Sequence, residues 1–583
     1  MKSFAIPAAL LTVFVAQNAH AALSIMPLKD VRAGMHGVGK TVFSGEKVDD
    51  FQVEILGVLE NTGPKENLIL GRLSGGPLEH TGVMQGMSGS PVYIDGKLIG
   101  AVALAFPYAK DPIAGIRPIE EMLRVESAPS QPPARRLSSA GDPIAMLPAR
   151  EAGGFGDTRM VEVGTPLSLS GFTANAVERF ATQMRKLGLE PRQGISTGGA
   201  PEDRMGDPSK LQPGSMISVE LMTGDMSVGA DGTVTCIDGN KVYAFGHRFL
   251  AVGPTDLPFT RSDVITLLAN TNTSFKISSG RELMGVISQD RDTAIAGSLG
   301  ARANMFPLDI EVTQDTKRVQ TYHMKLVNDR YLSPVLFQMA LFSAIDSTER
   351  SQGISSVVVH GSIEFENRKD KVQLQNIYAG DGGEAMQLST ATAIPLAYLM
   401  QAGFDALKVK RISLQMESFD SKKALNIGQV YLSRKEVKPG DTIELMTQLE
   451  GENGVELTRS LNYKIPLGTA PGTLYFTVAD GGQTSLAELK QIINETPHSP
   501  EQSIATVGRL RSSDKAYVRV WRAEPAYEVA GEELPDPPPS LALVLGSTQS
   551  VSQNRNSKIA ELVIDAGEMM LTGSRTVQVE VKE

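Results

Sequence analysis

Val83-Met84-Gln85-Gly86-Met87-Ser88-Gly89-Ser90-Pro91-Val92-Tyr93 sets a serine among small residues directly ahead of a strand. The strand continues into Tyr93-Ile94-Asp95-Gly96-Lys97-Leu98-Ile99, where Asp-Gly between apolar runs predicts a tight hairpin. A serine nucleophile needs this setting. Small neighbours admit a carbonyl, and a tight turn aims backbone N–H groups at the developing oxyanion. On that reading Ser88 attacks and the N–H groups of Gly86 and Ser88 are the oxyanion donors. A plain Ser/Gly turn before a hairpin fits the same letters equally well.

Upstream, Phe51-Gln52-Val53-Glu54-Ile55-Leu56-Gly57-Val58 alternates at period two, as a half-buried strand does. Gly34-Met35-His36-Gly37-Val38-Gly39-Lys40-Thr41 spells a phosphate loop, G-x-x-x-x-G-K-T. That chemistry needs a helix after the lysine, with its N-terminus facing the phosphates. Thr41-Val42-Phe43-Ser44-Gly45 reads instead as a strand ending in a turn, so nucleotide binding through Lys40 is not expected.

At the start of the chain, Lys2, the apolar run Phe4–Val15 and Ala19-His20-Ala21 have the layout of a cleaved secretory leader. Residues 1–21 are therefore expected to be removed after Ala21, giving a periplasmic or secreted bacterial protein. The run is too short to span a bilayer. No later stretch is apolar for 18 residues, so no stable membrane insertion is expected.

Downstream, Pro129, Pro132, Pro133, Ser138, Ser139, Gly153 and Gly154 mark a linker over 127–157. Thr173 caps a predicted helix over 173–187, with Val177, Phe180, Ala181, Met184 and Leu187 on one face and Gly188 at its end. Pro191–Gly214 is irregular. Strands resume at Met216, with a second Asp-Gly hairpin at Asp238-Gly239. Ser333-Pro334 opens an apolar helix through Ile345. Residues 351–408 read as a mixed α/β connecting segment, 409–480 as a β-sandwich-like domain and 481–583 as an α+β region. Ser485 and Glu488 form a capping box ahead of Leu486, Leu489, Ile492 and Ile493. Pro535–Pro539 is a stiff segment.

The chain has 583 residues, enough for three to four domains. Its formal charge of −10 becomes −11 when Lys2 leaves (−10 − 1), and it argues against nucleic acid as a partner. Cys236 is the only cysteine, so no intrachain disulfide forms. Neither H-E-x-x-H nor C-x-x-C occurs, so no metal or other cofactor is expected.

Past the leader six histidines remain: His36, His80, His247, His323, His360 and His498. His247 ends the apolar run Val242-Tyr243-Ala244-Phe245 and follows Gly246, where a strand-to-loop turn can hold a catalytic base on rigid support. A satisfied structural histidine fits the same place. Asp256, in Gly253-Pro254-Thr255-Asp256-Leu257-Pro258, either orients a histidine or is an ordinary turn residue, and the second reading is preferred.

Together these segments resemble the SpoIVB-type serine peptidases, serine peptidase family fifty-five. Glu46–Ile55 is similar to the strand before the family's serine half, Leu78–Pro91 to its serine motif, and Gly96–Val102 to that motif's continuation. Gly232-Thr233-Val234-Thr235 through Ala244-Phe245-Gly246-His247 resembles the histidine segment, and 285–297 the strands after it. The resemblance covers about 30–125 and 211–300. It implies a mainly β chain with a chymotrypsin-like two-barrel peptidase unit, here permuted, plus C-terminal β-sandwich-like modules and a few helices. The serine-bearing barrel half would span 22–126 and the histidine-bearing half 158–350. It further implies Ser88 as nucleophile, His247 as general base, and an acyl-enzyme formed on a protein or peptide substrate.

Three departures stand out. The serine half precedes the histidine half, the reverse of the family order. Pro191–Gly214 is too short for the family's PDZ module. The acidic residue expected some fifteen positions before the serine is missing, since that stretch reads Leu73-Ser74-Gly75-Gly76-Pro77. The alternative is therefore an inactive exported scaffold that keeps the fold. In either case the C-terminal β modules are expected to bind a partner protein or position the substrate.

Overall fold

Phe51, Val53 and Ile55 point inward from one strand while Gln52 faces out, and this alternation builds the first barrel. The computed structural model describes residues 23–583 except 107–108, 128–159, 194–203, 272, 315–316, 348–354, 381, 486–496, 498, 525, 530–531, 536, 548–551 and 555. The leader and nearly all of the expected linker lie outside the described residues. Strand outweighs helix, 54% to 19%, as expected of a mainly β chain.

Six antiparallel strands close the first barrel: β1 (His36–Ser44), β2 (Lys47–Gly63), β3 (Glu66–Ser74), β4 (Pro91–Ile94), β5 (Lys97–Ala105) and β6 (Ile113–Pro118). Their order is β4-β1-β2-β3-β6-β5, and β4 pairs with β5 to complete the ring. The β4–β5 turn has φ of 50° at Asp95 and 73° at Gly96, the two positive values a type I′ hairpin requires. The phosphate-loop letters lie in β1 and its approach, and Lys40 pairs with Asp50 across to β2.

After β7 (Val161–Glu162), β8 (Thr165–Ser170) and β9 (Leu189–Gln193) comes a second closed ring. It uses β10 (Met216–Gly224), β11 (Ser227–Asp238), β12 (Lys241–Ala244), β13 (Gly253–Leu268), β14 (Phe275–Arg291) and β15 (Ala294–Leu299). The order is β10-β13-β14-β15-β12-β11, closed by the β10–β11 pairing. Four register shifts along β13 and β14 let these two long strands bend around the ring. The β11–β12 turn differs from expectation. Asp238 pairs with Lys241, so Gly239 and Asn240 are the central residues, and Gly239 takes the positive φ, 63°.

The second barrel is not self-contained. From β10 the sheet runs outward through β17 (Lys317–Val327), β16 (Met305–Gln314), β20 (Val409–Phe419), β18 (Ser355–Phe365) and β19 (Lys371–Gly380). Helices cover it: α1 (Ala174–Lys186), capped by the Thr173 hydroxyl, α2 (Leu332–Asp346) and α3 (Glu384–Gln401). Phe180, Phe337, Leu388 and Val359 share its core.

Strand β20 thus belongs to this sheet, and the sandwich is displaced from the expected 409–480. Its two sheets take β21 (Ala424–Leu432), β22 (Glu436–Val437), β23 (Thr442–Gly451), β24 (Glu456–Lys464) and β25 (Gly472–Asp480). They also take β26 (Lys515–Arg522), β27 (Ser557–Asp565), β28 (Met570–Thr572) and β29 (Ser574–Val581), with Leu445, Phe476 and Val518 between them. Strand order had hidden this, because β28 lies parallel to β21. The expected capping box fails as well. Residues 481–485 are already helical, and the Ser485 hydroxyl accepts from the Arg511 N–H; Leu486 to Ile493 are outside the described residues.

The barrels meet along a seam. Gly45 and Val264 exchange two backbone hydrogen bonds, and Gln85 N–H donates to Ser274 while its carbonyl accepts from Lys276. Leu98, Ala101, Ile119 and Met122 pack against Cys236, Tyr243, Ala294 and Ala296.

Candidate active site

The Ser88 turn is pressed against the second barrel. Thr233 N–H donates to the Ser88 carbonyl at 2.9 Å, and the Thr233 and Thr235 hydroxyls donate to the carbonyls of Gly86 and Gly89 at 2.8 and 2.7 Å. Contact at Gly89 is so close that a Cβ there would stand 2.0 Å from the Thr233 carbonyl oxygen and 2.5 Å from the Phe245 nitrogen. Its φ is 92°, so only glycine fits.

Four N–H groups of this turn are used up. Gln85 donates to Ser274, Met87 to Met84, Gly89 to Val102 and Ser90 to Met87. The N–H groups of Gly86 and Ser88 have no acceptor among the described residues. The Ser88 hydroxyl in the same turn is fully buried and likewise without a hydrogen-bond partner among the described residues. A buried polar group normally has a partner, so this cluster of unused donors needs a reason.

His247 belongs to the same seam. Phe245 N–H donates to the Thr233 carbonyl, so one residue links the Ser88 turn to the strand end two residues before His247. The backbone here is strained at two non-glycine residues, Phe245 with φ of 69° and Ala251 with 56°, while Gly246 takes 71° without cost. The imidazole is buried, and its Nδ1 lies 2.6 Å from the Arg248 carbonyl oxygen. The serine and histidine segments thus meet through the Thr233 backbone, but the Ser88 hydroxyl makes no hydrogen bond to the His247 imidazole. Asp256 plays no part: it lies in β13, and its carboxylate accepts from the Asn304 N–H.

Sequence reading missed the charged groups around this seam. Lys276 is buried with its stem against Gly86; its Nζ donates to the Thr41 hydroxyl at 2.7 Å, and Ser90 donates to the same oxygen at 3.1 Å. Burial pulls the Lys276 ammonium down to about 7, against the raising effect of Asp231. Asp231 is held at about 6, raised by burial and opposed by hydroxyls of Ser278, Ser168 and Ser218 and by Lys276. Glu220, accepting from Thr260 at 2.9 Å, is pushed up to about 8 by burial. Asp290 is buried behind the His247 loop and raised to about 6 by burial, opposed by backbone N–H groups of 249–252. For Lys276 the signal was a lone charge between Phe275 and Ile277.

Residues 6–123 match the family model described as SpoIVB peptidase S55. The segment that carries the serine motif is therefore similar to the SpoIVB peptidase family, as its residues had suggested; the match ends before His247. No curated protein matches the chain, and no solved structure does.

Proposed function

We propose that the chain is an exported serine endopeptidase in which Ser88 is the nucleophile and His247 the general base. One observation carries the reading: the N–H groups of Gly86 and Ser88 have no acceptor among the described residues, in the same buried turn as the unpartnered Ser88 hydroxyl, at the seam where the His247 strand ends. Such a pair of preorganised donors is what an oxyanion requires. In the reaction His247 Nε2 takes the Ser88 proton as Oγ bonds to the scissile carbonyl carbon. The carbonyl oxygen becomes the oxyanion between the two N–H groups. The imidazolium then gives its proton to the leaving amine, the peptide C–N bond breaks, and an acyl-Ser88 ester remains for water to hydrolyse. Export rests on the leader-like residues 1–21, and the C-terminal sandwich is assigned to holding a partner or substrate protein.

The rival is a non-catalytic scaffold. Ser88 and His247 are both 0% exposed, and a peptide must reach them. A fluorophosphonate probe separates the two readings. Covalent labelling of the mature protein, lost in Ser88→Ala and kept in Ser90→Ala, supports the peptidase. A folded wild type that never labels supports the scaffold. Labelling that survives Ser88→Ala assigns the chemistry to another residue.

A further inference from the structure

We propose that the role a triad carboxylate plays elsewhere is divided here between the main-chain carbonyl of Arg248 and the buried carboxylate of Asp290, joined by one peptide plane. The inference rests on reading His247 as the general base.

A triad acid holds the imidazole in the tautomer that leaves Nε2 free to accept, and it stabilises the imidazolium that forms. The stretch where such an acid is expected holds none. Yet Nδ1 of His247 is 2.6 Å from the Arg248 carbonyl oxygen. A carbonyl only accepts, so Nδ1 carries the hydrogen and Nε2 of the neutral ring is the acceptor.

The N–H of that same peptide unit belongs to Phe249, and it donates to Asp290 Oδ1 at 2.8 Å. Carboxylate, peptide group and imidazole therefore form one hydrogen-bonded chain. A carboxylate on the N–H side polarises the amide and makes its carbonyl a stronger acceptor, as linked hydrogen bonds do. The other oxygen, Oδ2, takes the N–H groups of Leu250 at 2.7 Å and Val252 at 3.3 Å. These bonds fasten a loop that contains the left-handed Ala251 and follows the left-handed Phe245. Asp290 is anchored in turn, since β14 pairs it with Ile295 on one side and Gly253 on the other. It is 0% exposed, so its charge is not screened by solvent. Asp290 is thus a positioning residue that acts on His247 through the backbone.

Nitrogen-15 histidine NMR of the full mature protein at pH 8, with the His247 signal assigned from His247→Gln, reads the tautomer directly. The expected wild-type result is Nδ1–H, unchanged in Ser88→Ala. In Asp290→Asn an amide NH2 faces backbone N–H groups in place of one acceptor. The expected result is a shift of the His247 signal toward a mixed tautomer. The maximal fluorophosphonate inactivation rate should fall at least tenfold with half-saturation within twofold of wild type. A merely structural aspartate would lower the melting temperature and leave the tautomer alone. An Nε2–H wild type overturns the inference without any variant, including where Asp290→Asn fails to fold. A folded Asp290→Asn with an unchanged signal and a rate within twofold also overturns it. A wild type that never labels sinks the peptidase reading instead, and the tautomer shift still tests the Asp290 link.

Discussion

Gly89 shows how narrowly single residues are constrained at the seam. A methyl there would meet the Thr233 carbonyl at 2.0 Å in a backbone conformation side chains avoid. Gly89→Ala is expected to cost at least about 3 kcal/mol, read as a fall in the denaturation midpoint with loss of probe labelling. Glu220 makes a prediction about pH. Burial raises its carboxyl to about 8 from the ordinary 4.5, so the folded state holds a proton that the unfolded chain has already released. Stability from this group is greatest below 4.5, falls as pH rises toward 8, and is level above. Compared with Glu220→Gln, the wild type should lose ground between pH 5 and pH 8, by at most about 1.4 kcal/mol per pH unit. Urea melts of both proteins at several pH values measure this, and a constant gap would mean the carboxyl is ionised in the fold. Residues of this kind were hard to read beforehand. Ser88 announces itself through its neighbours, but Asp290 in Ser288-Gln289-Asp290-Arg291 looks like any polar strand end. Its meaning lies in loop N–H groups about forty residues earlier, a distance no local pattern spans.

Elements were legible where a local rule governs them. The type I′ turn at Asp95-Gly96 and helix α1 follow from turn chemistry and periodicity. In α1 the Thr173 hydroxyl accepts from the Ala176 N–H at 3.2 Å, so Thr173→Ala should lower stability by about 1 kcal/mol, measurable by thermal denaturation. Where a neighbour overrides local preference, the letters mislead. Asp231-Gly232 spells a turn, yet both residues lie inside β11, paired with Ser218 and Ile217. Tertiary hydrogen bonds to Asp231 hold it there. Parallel partners are harder still. Leu308 of β16 faces Ile412 of β20, 104 residues on (412 − 308), and nothing in either strand names the other. The same blindness moved the sandwich boundary.

Across the whole molecule, the two barrels are joined by more than chain connectivity. The Gly45–Val264 and Gln85–Ser274 hydrogen bonds and the apolar packing of Leu98 and Met122 on Tyr243 hold the seam. Arg261 of β13 adds a 2.8 Å ion pair to Glu46. A protein cut at a single inserted protease site within 128–159 should therefore elute as one species and keep its Ser88 labelling. Separation of the fragments on size exclusion would show that covalent continuity, not the seam, keeps the barrels together.

The order of the barrels along the chain also sets a timetable. The serine barrel is complete at Pro118, whereas the histidine barrel closes only at Leu299, and its sheet is extended by strands as far as Phe419. Ser88 is synthesised 159 residues ahead of His247 (247 − 88) and well ahead of Asp290. During that interval the emerging chain carries the Ser88 turn without the Thr233 contacts that hold it in the folded protein. On the proposed peptidase reading, the nucleophile and its base therefore come together only after most of the second barrel has left the ribosome.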